Sequence, residues 1–260
     1  SRRRKTLRKR QSTYHKIKKM PTYCTKAIVL SAIPYSESSL ICKLYTEEFG
    51  LKSYIIRSAK KKNSPTPTSH FQPLNIIEFE AYNSPKSKLE TIKNSSLILE
   101  NQSLNFSIIK NALTFFVAEV VHLSLKEANP NKELFDYLFN KIHLLKNSQD
   151  EDLAEFHLYF MIEFAEILGS APMNNYSENS TLFNPVLGLF SSNAEAENFN
   201  TDLSLRLHYL LSNCKEKNYQ KTCKNKAERN ILLDALIIFY SIHITNNQPI
   251  KSHKILSTIL

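Results

Sequence analysis

The stretch SLICKLYTEEFGLKSYIIR, residues 39–57, decides how the first third of the chain is interpreted. Residues 40–45 alternate between two sets of side chains, and this period of two is typical of a β-strand. Residues 51–57 form a second run that is rich in β-branched and aromatic side chains. Gly50, one of only three glycines in the chain, lies in the turn between the two runs. The stretch therefore predicts two strands joined by a short turn.

Three further short runs have the same character, and they lie at residues 25–30, 75–82 and 89–93. Five short strands separated by turns favour a small barrel, because closure of a sheet leaves no strand edge exposed. We therefore predict a small five-stranded β-barrel over residues 21–100.

The apolar period changes to that of an α-helix from about residue 105 onward. Apolar stripes predict helices in the second half, at residues 109–125, 134–145, 153–168, 203–211 and 231–242. Asp150-Glu151-Asp152 is expected to open the third helix, since acidic groups stabilise the positive end of a helix dipole. Residues 170–200 are rich in Asn, Ser and Pro, so we expect an irregular insert there. The sequence thus predicts an α+β multidomain chain whose all-α helical domain covers residues 101–260.

The net charge of +10 belongs to one end of the chain. Residues 1–20 contain ten Lys and Arg and no acidic residue, which leaves 24 basic and 24 acidic residues in the remainder. We expect residues 1–20 to be a basic disordered extension, because they have no packing pattern. This extension is interpreted either as a nucleic-acid-binding arm or as a segment that precedes a natural start at Met20. Net charge therefore gives only a local argument for binding a polyanion.

The residue patterns of most enzyme classes are missing from the sequence. Three isolated glycines cannot build a phosphate-binding loop, and no Ser/His/Asp set is visible. The four cysteines form no CxxC motif, so we expect neither a metal nor a cofactor. Their scatter also favours a reducing compartment, and no apolar run reaches the roughly 18 residues of a membrane span. We expect a cytoplasmic protein that is not an enzyme.

Basic and aromatic residues interleave in the predicted barrel, which is the mixture that single-stranded nucleic acids require. Cations offset phosphate charge, and aromatic rings stack on bases without reading their sequence. The candidate DNA-binding residues are Lys43, Tyr45, Lys52, Tyr54, Arg57, Lys60, Lys61 and Lys62. A second basic cluster, expected to bind a partner or to extend the DNA path, comprises Lys215, Lys217, Lys221, Lys224, Lys226 and Arg229.

Several motifs resemble those of the RecO family of bacterial recombination mediators. In the predicted barrel they are TKAIVL at 25–30, PYSESSL at 34–40, LYTEEFG at 44–50 and FQPL at 71–74. In the helical half, Ile167-Leu168-Gly169 with Pro172 is similar to an LGxxP step, and Lys251-Ser252 with Leu256 is similar to a closing KSxxxL segment. The resemblance is most specific between residues 22 and 100.

This resemblance implies an OB-fold followed by a helical domain, with binding of single- and double-stranded DNA and annealing of complementary strands. It implies RecR and the C-terminal tail of the single-strand-binding protein as partners, and RecA as the recombinase that is loaded. Many members also carry a four-cysteine zinc site after LGxxP. Here no cysteine occurs between Met173 and Asn213, so we do not carry the zinc site over.

Two other functions stay open on the residues alone. An OB-fold protein with the same cations and aromatic rings would also suit RNA, and a helical domain can serve a protein adaptor that binds no nucleic acid. Binding of single-stranded DNA and RNA at matched salt separates the first alternative. Loss of all binding without residues 1–20 would indicate the second.

Overall fold

The computed structural model describes residues 21–57, 59–83, 89–99, 107–126, 129–192, 200–217 and 219–260. The basic extension predicted for residues 1–20 lies outside these ranges.

Five strands form the first half: β1 (Thr22–Pro34), β2 (Leu40–Thr46), β3 (Gly50–Ile56), β4 (Ile76–Tyr82) and β5 (Glu90–Leu99). They pair in the order β1-β2-β3-β5-β4, and β4 also pairs with β1, so the ladder closes on itself. All neighbours are antiparallel except β3 and β5, which pair in parallel through three residues on each strand. Every strand therefore has two neighbours, as expected of an OB-like barrel.

The interior of the barrel takes one side of each alternating strand. On β2 and β3 the inward rows are Leu40 beside Ile56, Cys42 beside Tyr54, and Leu44 beside Lys52. The buried apolar core of the barrel consists of Ala27, Val29, Leu40, Cys42, Leu44, Tyr54, Ile56, Ala59, Phe71, Ile77, Phe79, Ala81 and Ile92. The alternation of side chains that predicted these strands thus separates the residues that face this core from those on the outer surface of the barrel.

The second half contains α1 (Ile108–Ser124), α2 (Lys132–Asn147), α3 (Phe156–Ile167), α4 (Thr201–Glu216), α5 (Lys226–His243) and α6 (His253–Ile259). Four of these helices begin after a polar residue whose side chain accepts a bond from a backbone amide of the first turn. The capping residues are Ser107, Asn131, Asn200 and Asn225. None of the helices in the described part of the chain is long and apolar enough to cross a membrane.

The outer face of the barrel shares a second hydrophobic core with the helices. Outward-facing side chains of the barrel join the helical cluster, among them Ile28, Tyr45 and Ile76. Tyr45 stacks on Phe135 of α2 at a centroid distance of 6.2 Å, and its hydroxyl donates to the carbonyl of Asn131. The predicted fold class, an OB-like β domain followed by a helical domain, is confirmed. The boundaries that we drew at residues 100 and 101 stay a prediction.

The third helix begins later than predicted. Residues Asp150–Leu153 form a 3-10 turn, and α3 starts only at Phe156. The acidic groups of this region have other partners: Asp150 accepts the hydroxyl of Ser107, and Glu155 accepts the backbone amides of Thr222 and Cys223. These tertiary bonds replace the helix-dipole role that the sequence indicated.

The segment that we expected to be an irregular insert contains a short hairpin, β6 (Leu182–Asn184) and β7 (Leu189–Ser191). The side-chain oxygen of Asn184 accepts two amides of the turn, from Val186 and Leu187. Gly188 has a left-handed φ of +68°, and a Cβ at this position would lie 2.8 Å from the ring of Phe239. The hairpin therefore depends on an asparagine and a glycine, whose effects no apolar period reports.

Two strands are also longer than predicted. The first runs from Thr22 to Pro34 because it pairs with β2 over one part of its length and with β4 over another. An irregularity between Val29 and Ser31 lets it turn from one neighbour to the other. The fifth strand extends to Leu99 in the same way, with β4 beside most of it.

Candidate nucleic-acid interface

Arg57 and the three lysines that follow it lie at one end of the barrel. Arg57 comes directly after β3, and Lys60, Lys61 and Lys62 lie in the loop beyond. All four side chains are exposed, and none forms an ion pair with any residue in the described ranges. They are consequently available to a polyanion.

This loop is anchored from beneath, which explains why its lysines face outward. Ala59 and Phe71 are buried in the barrel core at the two ends of the loop. The hydroxyl of Thr68 donates to the carbonyl of Ala59, and the amide of Ser95 on β5 donates to the carbonyl of Pro65. The apolar residues of the loop thus pack inward, and the cations remain on a defined surface.

Lys43 lies on the outer side of β2, between Ser31 of β1 and Ser53 of β3. It is half-buried, and its positive charge acts electrostatically on His122 of α1. Burial, followed by the positive charge of Lys43, lowers the pKa of His122, while Glu119 acts in the opposite direction. Lys43 therefore adds a cation to the outer face of β1, β2 and β3, near the helical half.

The two tyrosines proposed as stacking faces are both buried, so that prediction is wrong. Tyr45 is 1% exposed in the shared core, and Tyr54 is fully buried in the barrel against Phe79. Burial raises the pKa of each phenol to about 12. Neither ring can reach a base while the barrel is folded, because one face of β2 is covered by helices and Tyr54 points inward.

Lys52 is engaged inside one end of the barrel, which corrects its assignment to phosphate. Its ammonium lies 2.6 Å from a carboxylate oxygen of Glu90 on β5, and Glu90 is 5% exposed. The hydroxyl of Tyr23 donates to the same oxygen and lies 3.1 Å from the hydroxyl of Tyr54. The Lys52 ammonium also lies 5.4 Å from the ring centroid of Phe49. We call Tyr23, Lys52, Tyr54 and Glu90 the seam cluster, because they join β1, β3 and β5 where the barrel closes.

Sequence reasoning missed Tyr23 and Glu90 as members of this cluster. Burial, then the hydrogen bond to Glu90, raises the pKa of Tyr23 far above its usual value. A glutamate at an inward position of a predicted strand was the signal that could have identified the cluster, because buried carboxylates require partners. The partner itself depends on the parallel pairing of β3 with β5, which no local pattern indicates.

The second basic cluster divides into two groups. Lys226 donates to the carbonyl of Thr258 at 2.7 Å, and Arg229 donates to the backbone oxygen of Leu260, so both bind α6. The other four cations are exposed around the end of α4 and the loop after it: Lys215, Lys217, Lys221 and Lys224. Lys226 and Arg229 are therefore structural in this fold, and the remaining four stay candidates for binding.

A cavity of about 490 Å³ lies beside this group, between α2, α3 and the loop at 219–221. Its walls include Leu144, Phe156 and Tyr219, and Lys221 lines one side. Lys141 also lines it, but its ammonium pairs with Glu163 at 2.6 Å. The cavity combines apolar walls with Lys221, which has no ion pair among the described residues, and with three acidic residues, Glu151, Asp152 and Glu155.

The residues after the LGxxP step do not fit a zinc site. No cysteine lies between Met173 and Asn213, and no group of three His, Cys, Asp or Glu side chains is placed to hold a metal anywhere in the described ranges. The amide of Asn175 instead bridges to the backbone of Phe190 in both directions, at 2.8 and 2.9 Å. Asparagine amides are poor zinc ligands compared with thiolates or imidazoles, and here they fasten the hairpin through hydrogen bonds.

Two family models match the chain along most of its length. The first is described as "Recombination protein O N terminal" and matches residues 20–100, and the second, "Recombination protein O C terminal", matches residues 105–253. Similar curated proteins are named "DNA repair protein RecO". That of Flavobacterium psychrophilum is 35% identical, that of Flavobacterium johnsoniae 34% and that of Christiangramia forsetii 32%, each over 90% of this chain and 98% of the relative. The chain therefore belongs to the RecO family of DNA repair proteins.

Proposed function

We propose that this protein is a recombination mediator that binds single- and double-stranded DNA and anneals complementary strands. It helps to load the recombinase onto single strands coated with single-strand-binding protein. Membership of a DNA repair family supports this proposal. The observation that carries it is the exposed cation group at the barrel end, formed by Arg57 and Lys60–Lys62. We call this group the barrel-end cations.

Annealing needs no catalytic group. Two complementary strands repel each other through their phosphates, and cations bound to the backbone reduce that repulsion. A surface that holds phosphates and leaves base edges free therefore lets two strands pair. For this reason we assign no catalytic residue and no cofactor. We also propose that the protein acts in the cytoplasm with the nucleoid, where its DNA substrate would lie.

Phosphate contacts should dominate affinity and make it depend on salt. Each phosphate neutralised on a single strand contributes about −0.7 to the slope of log K against log salt concentration. The four barrel-end cations together with Lys43 would thus supply a slope of up to roughly −3.5. Binding through this face should be almost independent of base sequence, because phosphates carry no sequence information.

The helical half is proposed to bind the acidic C-terminal tail of the single-strand-binding protein. Lys215, Lys217, Lys221 and Lys224 supply the cations, and the adjacent cavity supplies apolar walls. An acidic tail would match the four exposed lysines, and its apolar side chains would match the apolar walls. Glu151, Asp152 and Glu155 also line the cavity, so the carboxylates of the tail are proposed to contact the lysines outside it. RecR is proposed as a further partner and RecA as the recombinase that is loaded, both on the family resemblance.

The test compares two variants in annealing and binding assays. The first variant has the four barrel-end cations changed to Ala, and the second has Lys215, Lys217, Lys221 and Lys224 changed to Ala. The proposal expects the first variant to lose binding to labelled single-stranded DNA and to anneal slowly. The second variant should keep DNA binding but lose binding to a peptide of the acidic tail. Equal DNA binding by wild type and first variant would refute the role of the barrel end, and stronger binding to RNA than to DNA would favour an RNA-binding function.

A further inference from the structure

Three isoleucines form a row across the outer face of the barrel. Ile33 of β1 pairs in register with Ile41 of β2, and Ile41 pairs with Ile55 of β3. Neighbouring strands lie roughly 4.8 Å apart, so the row spans about 10 Å. Ile33 is 58% exposed, and Ile41 and Ile55 are partly buried. Further along the sheet, Tyr45 is buried in the core shared with the helices, so Ile33 marks the exposed end of this face.

A tyrosine extends this row toward the barrel end. Tyr35 lies two residues beyond Ile33 and one residue past the end of β1 at Pro34. Its amide donates to the carbonyl of Ser39 at 2.9 Å, so the pairing of β1 with β2 continues to this point. Ser39 lies one residue before Leu40, the partner of Ile56, and Arg57 follows Ile56. Tyr35, Ser39 and Arg57 therefore end the three strands side by side, and the Tyr35 ring is 64% exposed.

Cations lie on both sides of the isoleucine row. Lys43 is two residues from Ile41 on β2, and Arg57 is two residues from Ile55 on β3. Lys43 pairs with Ser53 of β3, which lies four residues before Arg57. This separation along the strand gives roughly 13 Å between the row that contains Lys43 and the row that contains Arg57, which we call the two cation rows. A strand of nucleic acid that crosses this face would have cations at both edges and apolar side chains between them.

We infer that Tyr35 and the row Ile33–Ile41–Ile55 form the platform on which unpaired bases rest. This inference rests on the proposed function and names the residues that contact bases, a role that Tyr45 and Tyr54 cannot fill. Base faces are apolar and stack on aromatic rings, and the flanking cations hold the phosphates. This combination fits a single nucleic-acid strand better than an apolar protein segment, because an apolar segment would not require the two cation rows.

One acidic side chain opposes this occupant. Glu37 is exposed in the turn between β1 and β2, two residues after Tyr35 in the chain. A carboxylate near the phosphate path weakens binding, so Glu37→Gln should increase affinity for single-stranded DNA severalfold at low salt.

The experiment compares two probes that share a phosphate backbone, a labelled oligo(dT) and its abasic analogue. Tyr35→Ala should weaken binding to oligo(dT) roughly 5- to 150-fold, the effect of one lost base stack. It should leave the abasic analogue unaffected, and Tyr35→Phe should restore binding. Ile33→Ser should weaken oligo(dT) binding less, by a few fold.

Two matched controls come from the helical half. Tyr209 is 50% exposed on α4, and Ile255 is 62% exposed on α6. Tyr209→Ala and Ile255→Ser should bind both probes like the wild type. Because the chain contains no tryptophan, Tyr35→Trp also introduces a single tryptophan, which can be excited separately from the tyrosines. Oligo(dT) should quench its emission, and the abasic analogue should not.

The outcomes are distinguishable. If wild type and Tyr35→Ala bind oligo(dT) equally, or Tyr35→Ala weakens both probes alike, the platform is refuted while the proposed function stands. If the wild type does not bind oligo(dT), the proposed function fails and the platform fails with it. A normal thermal transition of each variant shows that the surface change has left the fold intact.

Discussion

The seam cluster should make the stability of the barrel depend on the carboxylate of Glu90. Glu90 accepts the Lys52 ammonium and the Tyr23 hydroxyl, and these contacts join three strands at the parallel pairing of β3 with β5. That pairing has only three residues on each strand, so side chains contribute much of its stability. Glu90→Gln keeps the size of the side chain and removes its charge, which makes it the appropriate perturbation.

The expected cost follows from the burial of the two partners. Breaking a buried ion pair by removing one charge costs about 3–5 kcal/mol, because the other charge stays buried without compensation. The Lys52 side chain is 30% exposed and can reach water, and a glutamine can still accept from Tyr23. We therefore expect a loss of about 2–3 kcal/mol, which in a chain of this size lowers the melting temperature by roughly 4–12 °C.

Urea denaturation at neutral pH, followed by circular dichroism, measures this loss. Glu80→Gln is the matched control, since Glu80 pairs with Lys93 on the same sheet at 2.9 Å but lies at the solvent surface. Exposed pairs contribute little, so the control should be clearly less destabilised. The double change of Glu90 to Gln and Lys52 to Met should recover part of the loss, because no charge then remains buried. Equal small losses at Glu90 and Glu80 would refute the role of the seam cluster.

Two other predictions concern the helical half. His157 is fully buried, and burial followed by the charge of Arg229 lowers its pKa to about 3. As the pH falls, the unfolded state binds this proton first, so stability should fall by about 1.5 kcal/mol between pH 6.5 and 5. His157→Gln should reduce that fall in urea titrations at the two pH values. Glu119 of α1 accepts the backbone amides of Lys251 and Ser252 at the start of α6. Glu119→Ala should therefore release α6, seen as faster amide exchange over residues 253–259, whereas unchanged exchange would show that α6 is held by its apolar contacts alone.

The sequence predicted the barrel well because its alternation reports which side chains are inside. It could not separate Lys52 from a surface lysine, since residues 51–56 are similarly apolar on both faces and the buried partner comes from another strand. It could not identify Tyr45 as buried either, because the helices that cover it begin more than sixty residues later. The exposed lysines of the loop at 60–62 were predictable, since a run of three lysines rarely finds three buried partners.

The platform residues show the opposite case. Ile33 and Tyr35 lie between the predicted strands at residues 25–30 and 39–46, where the sequence indicated no strand. Their exposure results from register, because β1 continues to Pro34 and presents Ile33 beside Ile41. An exposed apolar row of this kind becomes visible only when the strand pairing is known.

The salt dependence of single-stranded DNA binding tests the central claim most directly. The full chain and the chain without residues 1–20 are titrated with labelled oligo(dT) across a salt series, each with the wild-type barrel end and with Arg57 and Lys60–Lys62 changed to Ala. The proposed function predicts that the truncated chain still binds and that neutralising the four cations reduces its slope by up to roughly 3. Loss of all binding on truncation, with a slope in the full chain that the barrel-end changes leave unaltered, would show that the basic extension and not the barrel binds DNA.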